Sequence, residues 1–253
     1  SLASPDILLP LPACNIVKVK LSPCWSNKTS LSSAPKAGAK SPTVRPITAK
    51  TLIAKFLKDY PQLGDQMFYH DADILFYRLP SFNELLSDEI IYMSDTVSYI
   101  GYDYLRDCSS RYAKTNPSLN EDSLIDTMVE SAGVSKSLIQ SKQKSSGGAQ
   151  VLLKSVDFKL FQELERVCTN LYAKMRWFHS ANCREDGWDG VQAWCSDMWS
   201  LLWLLWKHNF TTRIHDTLSF SFADAKYSEL GKHNIYHLAG ITQDLSSTVF
   251  FKG

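Results

Sequence analysis

His70-Asp71-Ala72-Asp73 sets two carboxylates two residues apart, where one apolar run, Met67-Phe68-Tyr69, gives way to another, Ile74-Leu75-Phe76. Two acids at a strand end reach the same ion when the chain kinks there. Hard divalent cations take oxygen ligands, and Mg2+ or Mn2+ keeps open positions for substrate phosphates. So short a motif also reads as a pair of solvated turn acids. The apolar flanks weigh against that, because uncompensated carboxylates beside a buried strand are costly.

Three further features carry chemistry. Ser146-Gly147-Gly148-Ala149-Gln150 leads into an apolar run, and paired glycines let a ligand approach the backbone closely; the bland alternative is an ordinary loop. Asp197 lies inside a stretch rich in tryptophan, where a charge needs a partner or a function, unless it occupies that stretch's one wet edge. His237 closes Asn234-Ile235-Tyr236-His237, and Lys252 follows near the end of the sequence. A histidine at a strand end is also a common structural residue.

These residues must be positioned by a fold, and 253 residues allow one large domain or two small ones. An apolar fraction of 44% and a charged fraction of 21% exclude a wholly disordered or collagenous chain. The net charge of +1 gives no global field toward nucleic acid or membrane. It averages two unlike parts: seven Lys/Arg against Asp6 make residues 1–50 +6, leaving −5 for residues 51–253. Six scattered cysteines without a Cys-x-x-Cys pair fit reduced thiols and a cytoplasmic location. No apolar run is long enough for a transmembrane segment, and the proline-broken start is not a secretory signal.

Alternation at 17, 19 and 21 predicts a strand over 15–21, and Ser, Pro and Ala make 22–44 a linker. Thr48 is placed to cap a helix over 49–59, with Leu52, Ile53, Phe56 and Leu57 on one face. Strands are expected at 67–70, 74–76 and 90–93. A helix is expected from Asp122 or Ser123 to about Ser131, stopped by Gly133. A strand at 150–153 precedes a helix from Asp157 to about Lys174. Residues 191–208 read as a helix apolar all round and therefore buried. Strands at 218–222 and 234–237 complete an alternation of strands and helices that indicates an α/β layered fold.

In this order, Asp-x-Asp after an apolar strand, Gly-Gly-Ala-Gln, an acid in an aromatic helix, His-x-x-Gly and a lysine, the chain resembles nucleotide-sugar glycosyltransferases of the GT-A fold. The likeness is to the glycogenin and lipopolysaccharide-galactosyltransferase type and to glycosyltransferase-like proteins of gut bacteria and their phages. It covers roughly residues 45–253. It implies an α/β fold with a GT-A-like mixed central sheet flanked by helices, a glycosyltransferase domain over 48–253, and an irregular basic segment over 1–47. Only 70 residues precede Asp71, so the N-terminal part is expected to be shortened or irregular.

The resemblance also implies roles. Asp71, Asp73 and His237 match metal ligands that hold Mn2+ (or Mg2+) against the diphosphate of a nucleotide-sugar donor. Lys252 matches a lysine on that diphosphate, without the proline and tryptophan that follow it in the glycogenin type. Gly147, Gly148, Ala149 and Gln150 fall where the family lines its sugar and acceptor pocket. Asp197 falls where it places an acid beside the reacting sugar or acceptor hydroxyl. Trp194 and Trp199 are candidates for stacking on a sugar face, with core packing as the alternative. The expected activity is sugar transfer to an unidentified glycan, protein or nucleic-acid acceptor. The alternatives are a catalytically silent interaction module of the same fold and another metal-dependent phosphate-processing enzyme.

Overall fold

The computed structural model of the chain describes residues 49–222, 224–229 and 231–238. The expected strand at 15–21, the linker and Thr48 lie outside them. The first described element, α1 (Ala49–Asp59), buries Ile53, Ala54 and Leu57 and leaves Leu52 and Phe56 exposed. Its apolar face is thus wider than the surface it covers. A 3-10 turn, Pro61–Gly64, leads into β1 (Gln66–His70).

Four strands form the central sheet, in the order β1, β4 (Gly147–Lys154), β3 (Ile91–Asp95), β5 (Thr212–Ile214). β4 runs antiparallel to both neighbours, with His70 opposite Gln150, and β3 pairs parallel with β5. A second sheet holds β2 (Ile74–Phe76), β7 (Ile235–His237) and β6 (Phe220–Phe222) in that order. The mixed sheets and the helices beside them make an α/β architecture. Side-chain alternation along the central strands divides the core in two. Met67, Tyr69, Met93, Val151 and Leu153 pack against the helices, whereas Phe68, Tyr92 and Leu152 pack against Ile74, Leu218 and Ile235 of the second sheet region.

The helical layer is built around α6 (Phe158–Asn182), whose first N–H groups are capped by Asp157, which accepts from Lys159 and Leu160. It runs eight residues beyond the expected end at Lys174. α4 (Ser123–Ala132) stops at Gly133, which adopts φ 69°, as its sequence predicts. The helix expected over 191–208 is shorter. A 3-10 turn at Ala193–Cys195 precedes α7 (Ser196–Lys207), and Trp199 through Trp206 are buried. Trp199 Nε1 donates to the Ile100 carbonyl at 2.8 Å and Trp206 Nε1 to Thr212 Oγ1 at 2.8 Å, so both indoles enter the core with their donors satisfied.

α2 (Val97–Ile100), α3 (Tyr102–Thr115), α5 (Lys136–Ser141) and β5 have no counterpart in the sequence reading. α3 buries Tyr102, Leu105, Cys108, Ser109 and Tyr112, a helical spacing masked by its small polar members. The long connection from β2 to β3 is pinned by Lys154. Its buried ammonium donates to the Leu85 carbonyl, to the Asp88 carbonyl at 2.8 Å and to Asp88 Oδ1 at 2.9 Å. No helix among the described residues is long and apolar enough to cross a membrane.

Candidate metal centre

β1 ends at His70, and the turn over 71–73 carries the chain out of the central sheet into β2 of the second one. The carboxylates of Asp71 and Asp73 therefore stand on the corner between two sheets. The His70 ring fixes that corner through Nδ1, 2.6 Å from the Asp71 carbonyl oxygen. β7 then pairs antiparallel with β2, setting His237 opposite Ile74, while Leu238 N–H donates to the Asp73 carbonyl at 2.8 Å. Strand pairing thus delivers a histidine from the far end of the chain to the acid pair.

His237 Nε2 lies 3.3 Å from Asp71 Oδ2 and 3.4 Å from Asp73 Oδ1. The ring is buried, with Phe220 edge-on at 5.2 Å and Phe222 stacked at 6.2 Å. Burial works against its cationic form. The hydrogen bonds to Asp71 and Asp73 outweigh burial and push its pKa up to about 9. At neutral pH the metal-free centre therefore holds a proton between its two carboxylates.

The donor set fits a divalent ion. One donor atom from each of Asp71, Asp73 and His237 lies within 4.8 Å of the others. Two ligands of one small cation stand at most about 4.2 Å apart, twice a bond of ~2.1 Å, so modest contraction is enough. Two carboxylate oxygens and one imidazole suit Mn2+, and Mg2+ less well. Asp71 is 30% exposed and Asp73 18%, which leaves an approach from solvent.

Behind Asp71 is a small cavity lined by Tyr69, Gly147, Gly148, Ala149, Met198 and Asp197, among others. With Asp71 itself in the lining, it brings together five of the residues singled out in the sequence. Its volume is about 10 Å3, the space of one water. Met198 accounts for the tight fit: a Cβ on Gly148 would stand 2.3 Å from its terminal methyl. A Cβ on Gly147 would stand 2.3 Å from Met93 Cβ and 2.8 Å from the Ser94 carbonyl oxygen, so glycine there meets a packing requirement of the sheet.

Asp197 opens α7 and accepts from Met198 N–H at 2.9 Å. Burial raises its pKa, Lys50 opposes that rise, and the charge of Asp71 adds to it. Burial alone would lower the pKa of Lys50, on α1, but the negative charges of a Tyr69 phenolate and the Asp197 carboxylate hold it above the ordinary lysine range. Lys50 and Tyr69 are residues that sequence reasoning missed. Nothing in the local pattern marks them: Tyr69 reaches the cavity of Asp197 from β1, and Lys50 belongs to α1.

Other candidates lie elsewhere. Trp194 sits on the 3-10 turn before α7, 56% exposed and away from the cavity lining, and Trp199 is core. Lys252 lies outside the described residues. Gln150 faces away from the cavity, fully buried, and neither its amide nitrogen nor its oxygen has a partner among the described residues. A buried amide left unsatisfied costs about 1–3 kcal/mol. Gln150→Met, which keeps the shape and removes both polar atoms, is therefore expected to raise the melting temperature of the metal-free protein by about 2–6 °C. A drop of that size in a thermal melt would show that the amide is bonded in the native protein.

No protein-family model, curated protein or solved structure matches the chain.

Proposed function

We propose that Asp71, Asp73 and His237 hold Mn2+ (or Mg2+), and that the chain transfers a sugar from a nucleotide-sugar donor on a GT-A-like fold. The observation that carries this reading is the meeting of His237 with the acid pair across the β2–β7 ladder. When bound, the ion supplies Lewis-acid charge for the diphosphate leaving group. The chain's own residues supply the rest. Asp71 and Asp73 fix the site at the sheet corner, and His237 gives up its Nε2 proton to become a ligand. Asp197, its pKa raised beside Asp71, accepts a proton from the acceptor hydroxyl if the sugar inverts, or orients the sugar if it is retained.

The cavity of about 10 Å3 between Asp71 and Asp197 favours a second reading, a catalytically silent module of the same fold. Release of nucleoside diphosphate separates the two. In the first reading the native protein releases it from a nucleotide sugar only with Mn2+, and Asp197→Asn slows release about a hundredfold without loss of donor binding. Donor binding with no release by the native protein selects the silent module.

A further inference from the structure

The cavity between Asp71 and Asp197 has a polar group in its lining that the metal centre does not use. Tyr69 is 8% exposed, and its ring rests against Phe161 at 6.0 Å between centroids. Its buried hydroxyl has no hydrogen-bond partner among the described residues. Burial raises its pKa, so at neutral pH the phenol carries a proton to donate. Beside Tyr69, Asp71 and Asp197, the lining side chains are apolar. Asp197 accepts from Met198 N–H at 2.9 Å, and a carboxylate has about four acceptor positions, so capacity remains. A phenol donor and a carboxylate around a space of about 10 Å3 meet the needs of a single water: room for one oxygen and two polar partners. Met198 sets that size. Its terminal methyl lies over Gly148, 2.3 Å from where a Cβ would stand, and the residue is partly exposed on the first turn of α7.

We propose that Tyr69 and Asp197 hold one water in this cavity, that Met198 keeps out anything larger, and that this water is the acceptor, so that the chain hydrolyses its nucleotide-sugar donor. The inference rests on the metal and donor reading above and adds the acceptor to it. The Tyr69 hydroxyl donates to one lone pair of the water, a water hydrogen points to Asp197, and the second lone pair is left for the sugar. That lone pair forms the new bond to the anomeric carbon. The bond from that carbon to the diphosphate oxygen breaks, its electron pair leaves with the diphosphate, and Asp197 takes the water's proton. The products are the free sugar and a nucleoside diphosphate. The narrow cavity is then a fitted acceptor site. Any alcohol brings at least one carbon with its hydroxyl, and Met198 excludes it.

Methanol, the smallest alcohol, separates hydrolysis from transfer when added to the full chain with Mn2+ and a nucleotide sugar. The native chain is expected to form free sugar equimolar with the released nucleoside diphosphate, and no methyl glycoside at molar methanol. Met198→Ala, which opens the cavity, is expected to form methyl glycoside at least about tenfold above the native level. Tyr69→Phe is expected to slow release about tenfold at saturating donor with donor and Mn2+ affinities unchanged, a split that a purely structural tyrosine would not give. Methyl glycoside from the native chain, release that needs an added acceptor, or release by Tyr69→Phe at the native rate each overturns the proposal. The native-chain result decides it even where a variant does not fold. Donor binding without release overturns hydrolysis and leaves the donor site standing, whereas absence of Mn2+-dependent donor binding fails the metal and donor reading itself and removes hydrolysis with it.

Discussion

Asp73→Ala is expected to weaken Mn2+ binding about a hundredfold or more while leaving the protein folded. Its carboxylate is one of three converging donors. The structural work at this position is done by the backbone, since the Asp73 carbonyl accepts the Leu238 N–H whatever the side chain. The β2–β7 ladder therefore survives the substitution, and His237 keeps Asp71 at 3.3 Å. Titration of free Mn2+ by its paramagnetic resonance signal reads the affinity, and a thermal melt reads the fold. Unchanged affinity would remove this carboxylate from the site.

The largest effect on stability is expected from Lys154→Met. The ammonium is buried at 3% exposure on the last residue of β4 and serves the Leu85 and Asp88 carbonyls and the Asp88 carboxylate. Its hydrogen bond holds the Asp88 pKa down to about 2. Methionine keeps the stem against the Tyr92 ring, 4.9 Å from the ammonium, but removes the ammonium from those oxygens, and Asp88 Oδ1 keeps only the Ile90 N–H at 3.0 Å. Breaking a buried pair from one side costs about 3 kcal/mol, somewhat relieved here because Asp88 reaches solvent. For a chain of this size that corresponds to a fall of about 6–12 °C in Tm. A change under about 2 °C in the thermal melt would mean that the connection from β2 to β3 is held by other contacts.

Much of the local structure was legible because its signals are short-range. The Asp157 cap, the Gly133 stop and the apolar runs of β1, β3 and β4 each depend on a few neighbouring residues. α3 was not legible because cysteine and serine occupy its buried face, and β5 because three residues carry too little pattern. At the site, the pairing of Asp71 with Asp73 is a property of adjacent sequence. The placing of His237 beside them came only through a resemblance, and strand register gives the physical route. Lys50 was read as one charge of a basic N-terminal stretch. In the fold its charge opposes the rise that burial imposes on the Asp197 pKa. Trp194 shows the reverse: the helix expected over 191–208 runs through it, but the chain makes a 3-10 turn there and leaves the ring outside.

A metal site that serves a nucleotide-sugar donor is open to a thermal-shift measurement on the native chain against a panel of nucleotide sugars with and without Mn2+. Ligand that binds only the native state raises Tm by mass action. At least one donor is expected to raise Tm with Mn2+ present by more than Mn2+ alone, and not to do so when Mn2+ is omitted. No Mn2+-dependent shift with any donor would contradict it.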